Sequence, residues 1–314
     1  MRTNRVAWFL TALAALIQSG IPAGAAPRKL PRYELVAAQT WQLTPPNGER
    51  FDASGLLLAQ DGALLTVNDR GEGVYRIEFS GGTNAARLTP VTNWFTAAQL
   101  APFATDKVGR YDWEGIAQDD SGRLYLCEEG NRWIIRCDPR SGTCERLEID
   151  WSPVRKYFSS DRNASFEGIA IGGGRLYVAN ERSRGVLIQV DLTTRHVERV
   201  FHVRPSTNQA RDVHYSDLCW FGGELWVLLR ESRVVLRVDP AGPDVLAEFS
   251  FADMERKREV LYNWRVPTST MEGLAVDADC IWLVTDNNGE GRWVDREDTR
   301  PTLFKCLRPD KLRR

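Results

Sequence analysis

A unit that recurs five times along the chain limits what it can fold into more than any other feature. Phe51-Asp-Ala-Ser-Gly-Leu56, Tyr111-Asp-Trp-Glu-Gly-Ile116, Ser165-Phe-Glu-Gly-Ile169, Tyr215-Ser-Asp-Leu218 and Met271-Glu-Gly-Leu274 each open a short apolar strand. A turn follows, usually with Gly. A second strand comes next: Leu64-Leu-Thr-Val67, Leu124-Tyr-Leu-Cys127, Leu176-Tyr-Val-Ala179, Leu225-Trp-Val-Leu228 and Ile281-Trp-Leu-Val284. A third strand and a more polar fourth complete the unit. Repeats of about 50–60 residues, each a four-stranded meander, cannot bury both faces alone and stack into a ring. The sequence therefore predicts an all-β chain forming a single β-propeller of five four-stranded blades, with six as the alternative if a long connector hides a degenerate unit. The last copy, ending at Thr302-Leu-Phe-Lys-Cys-Leu307, lacks a fourth strand, and the strand-like stretch from Tyr33 to Leu43 has no unit of its own. That N-terminal strand is expected to close the last blade. Helices are expected only as short connectors, over 96–101 and 254–260.

The first residues read as a targeting signal. Arg2 and Arg5 precede an apolar run from Val6 to Ile17, and Ala23-Gly-Ala25 has the small-x-small pattern of a cleavage site. The run is shorter than the ~20 residues a bilayer needs. A signal peptide over 1–25, a propeller domain over 26–314 and a periplasmic or secreted location are expected. Lys and Arg number 41 against 42 Asp and Glu, and losing the two signal arginines moves the formal charge from −1 to −3. That balance excludes a polybasic nucleic-acid binder. With no second long apolar stretch, no membrane span remains after cleavage, and a monomer is expected.

Export exposes six cysteines to an oxidising compartment. Cys137 and Cys144 flank the turn-rich Asp-Pro-Arg-Ser-Gly-Thr and form the first expected disulfide. Cys280 begins one strand-like run and Cys306 ends another, which suggests a second. Cys127 and Cys219 lie inside apolar runs, as buried thiols or as a third pair. No C-x-x-C occurs, which argues against structural zinc.

The repeat also loads one rim with acids. In an antiparallel meander the start of the inner strand and the end of the second strand share an edge. At the first position the repeat aligns Ser54, Glu114, Glu167, Asp217 and Glu272; at the second, Asp69, Glu129, Glu181, Arg230 and Asp286. Ring closure would turn the carboxylates towards one mouth of the central channel, where they repel unless cations compensate. One compensation is arginine: Arg70, Arg132, Arg182 and Arg230 follow the second strands and are candidate ligand-binding or pairing groups. The other is a hard cation, above all calcium, since an oxygen-rich donor set selects it over transition metals. Among three histidines, His214 lies nearest an inner-strand opening. Trp94, Phe95, Trp151, Tyr157, Phe158, Tyr262 and Trp264 fall in connectors, as covers of the channel or walls of a ligand pocket. G-x-S-x-G, H-E-x-x-H, P-loop and G-x-G-x-x-G motifs are absent, so the catalytic residues are unknown from sequence.

Trp113-Glu-Gly-Ile-Ala117, Phe166-Glu-Gly-Ile-Ala170 and Met271-Glu-Gly-Leu-Ala275, with the strand endings Leu126-Cys-Glu-Glu129 and Val284-Thr-Asp-Asn287, resemble the phytase-like bacterial propellers, described as "esterase-like activity of phytase". The fourth unit, with Gly223-Glu-Leu-Trp-Val-Leu228, is more similar to the related SdiA-regulated propellers. The resemblance implies an exported propeller, often with calcium, and for part of the group a phosphoester hydrolase. Two functions are expected as alternatives: a calcium-assisted hydrolase acting on a small anionic ligand, or a non-catalytic propeller that binds a ligand or an envelope protein.

Overall fold

A computed structural model describes residues 30–71, 73–103, 111–181, 185–206, 213–264 and 268–310. The expected signal peptide and Arg182 lie outside the described residues. The N-terminal strands are β1 (Arg32–Glu34) and β2 (Ala37–Thr44). The first unit is β3 (Ala53–Leu58), β4 (Leu64–Asn68), β5 (Val74–Phe79) and β6 (Ala85–Val91). The second is β7 (Trp113–Gln118), β8 (Leu124–Glu128), β9 (Trp133–Asp138) and β10 (Thr143–Arg146). The third is β11 (Phe166–Gly172), β12 (Arg175–Asn180), β13 (Val186–Asp191) and β14 (Val197–Phe201). The fourth is β15 (Tyr215–Phe221), β16 (Glu224–Leu229), β17 (Val234–Val238) and β18 (Val245–Ser250). The last unit takes β19 (Met271–Val276), β20 (Cys280–Thr285) and β21 (Thr302–Leu307) from the C-terminal part and β2 from the other end of the chain.

The first four units are antiparallel meanders because their β-branched and aromatic runs are separated by short turns, whereas in the last unit residues 286–301 separate β20 from β21. Between β11 and β12, and again between β15 and β16, the loop is two glycines, Gly173-Gly174 and Gly222-Gly223, all with φ between 59° and 81°. This double left-handed turn matches the twist of the flanking strands, and a side chain there would be strained.

The core lies between units, as the repeat requires. Among the described residues a buried cluster lies at each interface between neighbouring units: Leu65 and Val67 meet Trp113 and Leu126; Cys127 and Ile134 meet Phe166 and Val178. Tyr177 meets Leu218 and Val227, Leu228 and Val235 meet Leu274 and Leu283, and Val284 and Ala275 meet Leu56 and Ile77. The last interface closes the ring.

The N-terminal stretch does more than close one blade. It breaks at Leu35, so β1 runs parallel to β18 of the fourth unit, with Tyr33 opposite Phe249. β2 then pairs antiparallel with β21, and its end runs parallel to β6, with Leu43 opposite Ala86. One strap thus laces the fourth, last and first units. Connector helices form over Ala97–Leu100, opened by a Thr96–Gln99 capping box, and over Ala252–Glu255, which starts earlier than the sequence suggests.

Cys137 and Cys144 face each other across β9 and β10 and are bonded. The expected Cys280–Cys306 bond is absent. Cys280 stands opposite Leu307 and Cys306 opposite Ile281, one residue out of register. Side chains alternate along a strand, so the thiols face opposite sides of the sheet, one towards the first unit and one towards the fourth. Cys127 and Cys219 are free thiols as well.

Candidate functional site

At one mouth of the channel lies a cavity of about 310 Å³, lined by Asp69, Glu114, Glu129, Glu167, Glu181, Glu231, Glu272 and Asp286 with Arg230 as the one cation among the described lining residues. Two local devices aim these groups. At the end of the second strand in the first, second, third and last units, a backbone N–H is tied to the carbonyl two residues before the inner-strand acid position: Asp69 to Asp52, Glu129 to Asp112, Glu181 to Ser165 and Asp286 to Thr270, at 2.8–3.1 Å. At the start of the inner strand the ladder slips by one residue. Trp113 faces Glu128 but Gly115 faces Cys127, leaving Glu114 as a bulge, and Glu167 and Glu272 are extruded in the same way. A bulge re-aims its side chain, here towards the axis.

The same slip moves the fourth unit out of the expected alignment. Its bulged residue is Ser216, and Asp217 faces Leu228 in the position held by Gly115, Gly168 and Gly273. These glycines form the neck below the cavity, where inner strands approach so closely that a Cβ on Gly55 or Gly115 would meet the next strand's backbone at 2.8–2.9 Å. Asp217, fully buried, fills the neck. Its carboxylate accepts the backbone N–H groups of Leu56, Leu218 and Leu274 at 3.2, 2.8 and 2.7 Å. Burial pushes its pKa up and the three donors pull it down, with burial the larger effect.

The acids strain against one another. Burial first, then the charges of Asp286, Asp52 and Asp112, raises Asp69 to about 8. Burial and Asp112 raise Glu129 to about 8, although Glu167 and the Ser165 N–H favour its ionised form. Asp286 rises to about 7 through burial and Asp52, with Arg230 and Arg50 opposing. Glu114 and Glu167 also titrate well above the ordinary range through burial and neighbouring carboxylates. Burial opposes the charge on Arg230, yet Glu167, Glu181 and Glu231 outweigh it and raise its pKa. Arg230 donates to Glu181 at 2.7 Å and to Glu272. His214 stands 3.7 Å from Glu231 and 3.9 Å from Glu181, at the cavity's edge.

Of the candidate residues, Asp69, Glu114, Glu129, Glu167, Glu181, Glu272, Asp286 and Arg230 are brought together, and Asp217 is not. Arg70 turns to Asp52 at 3.8 Å, and Arg132 lies over the Phe158 ring and donates to the Ser159 carbonyl. Phe95 is core, Trp151 and Phe158 pack on Phe166, and Trp264 alone of the connector aromatics lines the cavity. Sequence reasoning missed Glu231 and Asp112. Asp112 places an oxygen within 4.8 Å of oxygens of Asp69 and Glu114, and it repeats the place of Asp52 in the first unit, a parallel visible in the sequence.

A closed ring of four-stranded sheets around an acid-lined channel defines a β-propeller. The chain belongs to the phytase-like family described as "Esterase-like activity of phytase", whose model matches residues 52–289. No curated protein matches it. Among solved structures it is similar to glutaminyl cyclase of Myxococcus xanthus, at 14% identity over 88% of this chain and 97% of that one, with a TM-score of 0.58. It is also similar to virginiamycin B lyase of Staphylococcus aureus, at 14% identity over 82% and 66% of the two chains, with a TM-score of 0.40. The first likeness supports the propeller fold. No helix among the described residues is long and apolar enough to cross a membrane.

Proposed function

We propose that this is an exported, calcium-dependent phosphoester hydrolase whose cation is held by Asp69, Asp112 and Glu114 on the wall of the acidic cavity. The observation that carries this reading is the cluster itself: three carboxylates whose oxygens come within 4.8 Å of one another, beside six further carboxylates and one guanidinium already committed to Glu181 and Glu272. The donor set fits. It is all oxygen, which suits calcium, and Asp69 Oδ1 is buried with no hydrogen-bond partner among the described residues. Calcium bound there supplies a Lewis acid that polarises phosphate oxygens and lowers the pKa of a water.

The chain's own residues do the rest. Glu167, with its raised pKa, retains a proton that it shares with Glu129 and can pass to the departing oxygen. Water adds to phosphorus and returns one proton to the Glu129–Glu167 pair, the ester P–O bond breaks, and the products are inorganic phosphate and an alcohol. Arg230 holds Glu181 and Glu272 in place and limits the negative field around the incoming anion.

Melting of chelator-treated protein with and without millimolar calcium tests the reading. A ligand at 100 times its Kd stabilises by about 2.7 kcal/mol, so a clear rise in Tm is expected, lost in Asp69→Asn and Glu114→Gln. Calcium-dependent turnover of a phosphomonoester panel should fall with it. Stabilisation without turnover would instead support the binding propeller, and absence of any calcium shift would falsify the metal site.

A further inference from the structure

A second cavity of about 420 Å³ opens beside the acidic one and shares Trp264, Thr268 and Thr270 with it. Its character is different. Val260, Leu261, Tyr262 and Trp293 supply an aliphatic and aromatic wall. Several of the polar groups around it are already paired. Arg233 donates to Glu255 at 2.7 Å, and the other oxygen of Glu255 accepts the Ser269 hydroxyl and the Thr270 N–H at 2.7 and 2.8 Å. The Tyr262 hydroxyl is engaged with Thr285, Thr302 and the Arg300 carbonyl, and Arg292 lies over the ring at 4.8 Å, so only the rest of the ring's surface forms part of the pocket wall. Trp293 is 49% exposed and Val294 beside it 55%, a large apolar pair that water covers poorly. At the shared wall, Trp264 Nε1 is buried without a partner among the described residues, a donor placed where the two cavities meet.

We propose that the ligand of the acidic cavity has two parts: a single phosphate head in that cavity and an apolar, ring-sized arm in this side pocket. The substrate class is then an aryl or long-alkyl phosphomonoester. A polyphosphorylated polyol fits less well, because its further phosphates would be desolvated against Val260, Leu261 and Tyr262, and among the described residues only Arg256 at the pocket's edge and Arg296, 6.0 Å from the Trp293 ring, could meet them. The identity of the head rests on the phosphoester reading, whereas the arm rests on the side pocket alone.

Calorimetric binding of two non-hydrolysable probes to the mature chain with calcium separates the two claims. Naphthylmethylphosphonate should bind at least tenfold more tightly than methylphosphonate, since the arm adds buried apolar surface. Trp293→Ala should cut that preference at least fivefold, and Trp293→Phe should restore most of it, which a merely misfolded variant would not show. Equal affinity for both probes, an unchanged preference in Trp293→Ala, or tighter binding of inositol hexakisphosphate than of the naphthyl probe would overturn the proposal. If neither phosphonate binds, the phosphoester reading fails, and 1-naphthol decides the arm: binding weakened in Trp293→Ala sustains the side pocket, and no binding removes it.

Discussion

The carboxylate of Asp217 joins three inner strands through their backbone N–H groups, so one side chain ties together units far apart in sequence. Asp217→Ala leaves three buried donors without an acceptor, each costing about 1–3 kcal/mol. A loss of roughly 3 kcal/mol or more is expected in denaturant unfolding; a loss under about 1 kcal/mol would mean that water replaces the carboxylate. Sequence comparison assigned Asp217 to the acidic mouth because it aligned acid with acid. The bulge that separates Ser216 from Asp217 is a backbone event, written in no residue type. Asp112 was legible in principle through its match with Asp52, but a repeat of two in five carries little weight until the chain is folded.

Strands and their order were the most legible part, because apolar runs and glycine turns repeat the same physical demand in every unit. Register was not. A one-residue shift between β20 and β21 leaves hydrophobicity unchanged and decides whether Cys280 and Cys306 can meet. The break of the N-terminal stretch at Leu35 was similarly silent, since both halves read as strand. For β9 and β10 the turn composition sufficed, and the disulfide there closes a loop with a sequence separation of only 7. So short a loop removes little chain entropy, on the order of 2 kcal/mol. Cys137→Ser with Cys144→Ser should lower Tm by a few degrees and abolish the effect of reductant. A reductant-sensitive Tm that persists in the double variant would point to another bond.

At the scale of the whole ring, the acid mouth sets the pH response. Asp69 and Glu129 titrate at about 8 and Asp286 at about 7, against about 4 in the unfolded chain. The folded state binds more protons between these values, so metal-free protein should lose stability as pH rises from about 4 to 8. Asp298 acts oppositely: it is held at about 2, with the Arg300 and Arg292 pairs outweighing its burial, and its contribution is present above about 4 and lost as pH falls towards 2. Melting curves in chelator should therefore peak on the acidic side, and calcium should flatten the decline above it, since binding a cation displaces those protons. A chelated Tm that rises between pH 5 and 8 would contradict the raised values. The strap adds a consequence in time. Of the two partners in the closing pair, β2 is synthesised first and β21 last. An emerging chain can complete its middle sheets, yet its final one waits for an encounter between the two ends, the slowest kind of contact to search for. A circular permutant that begins after β2 and carries β1 and β2 behind residue 310 would turn that search into a neighbouring hairpin, and should refold faster at similar stability.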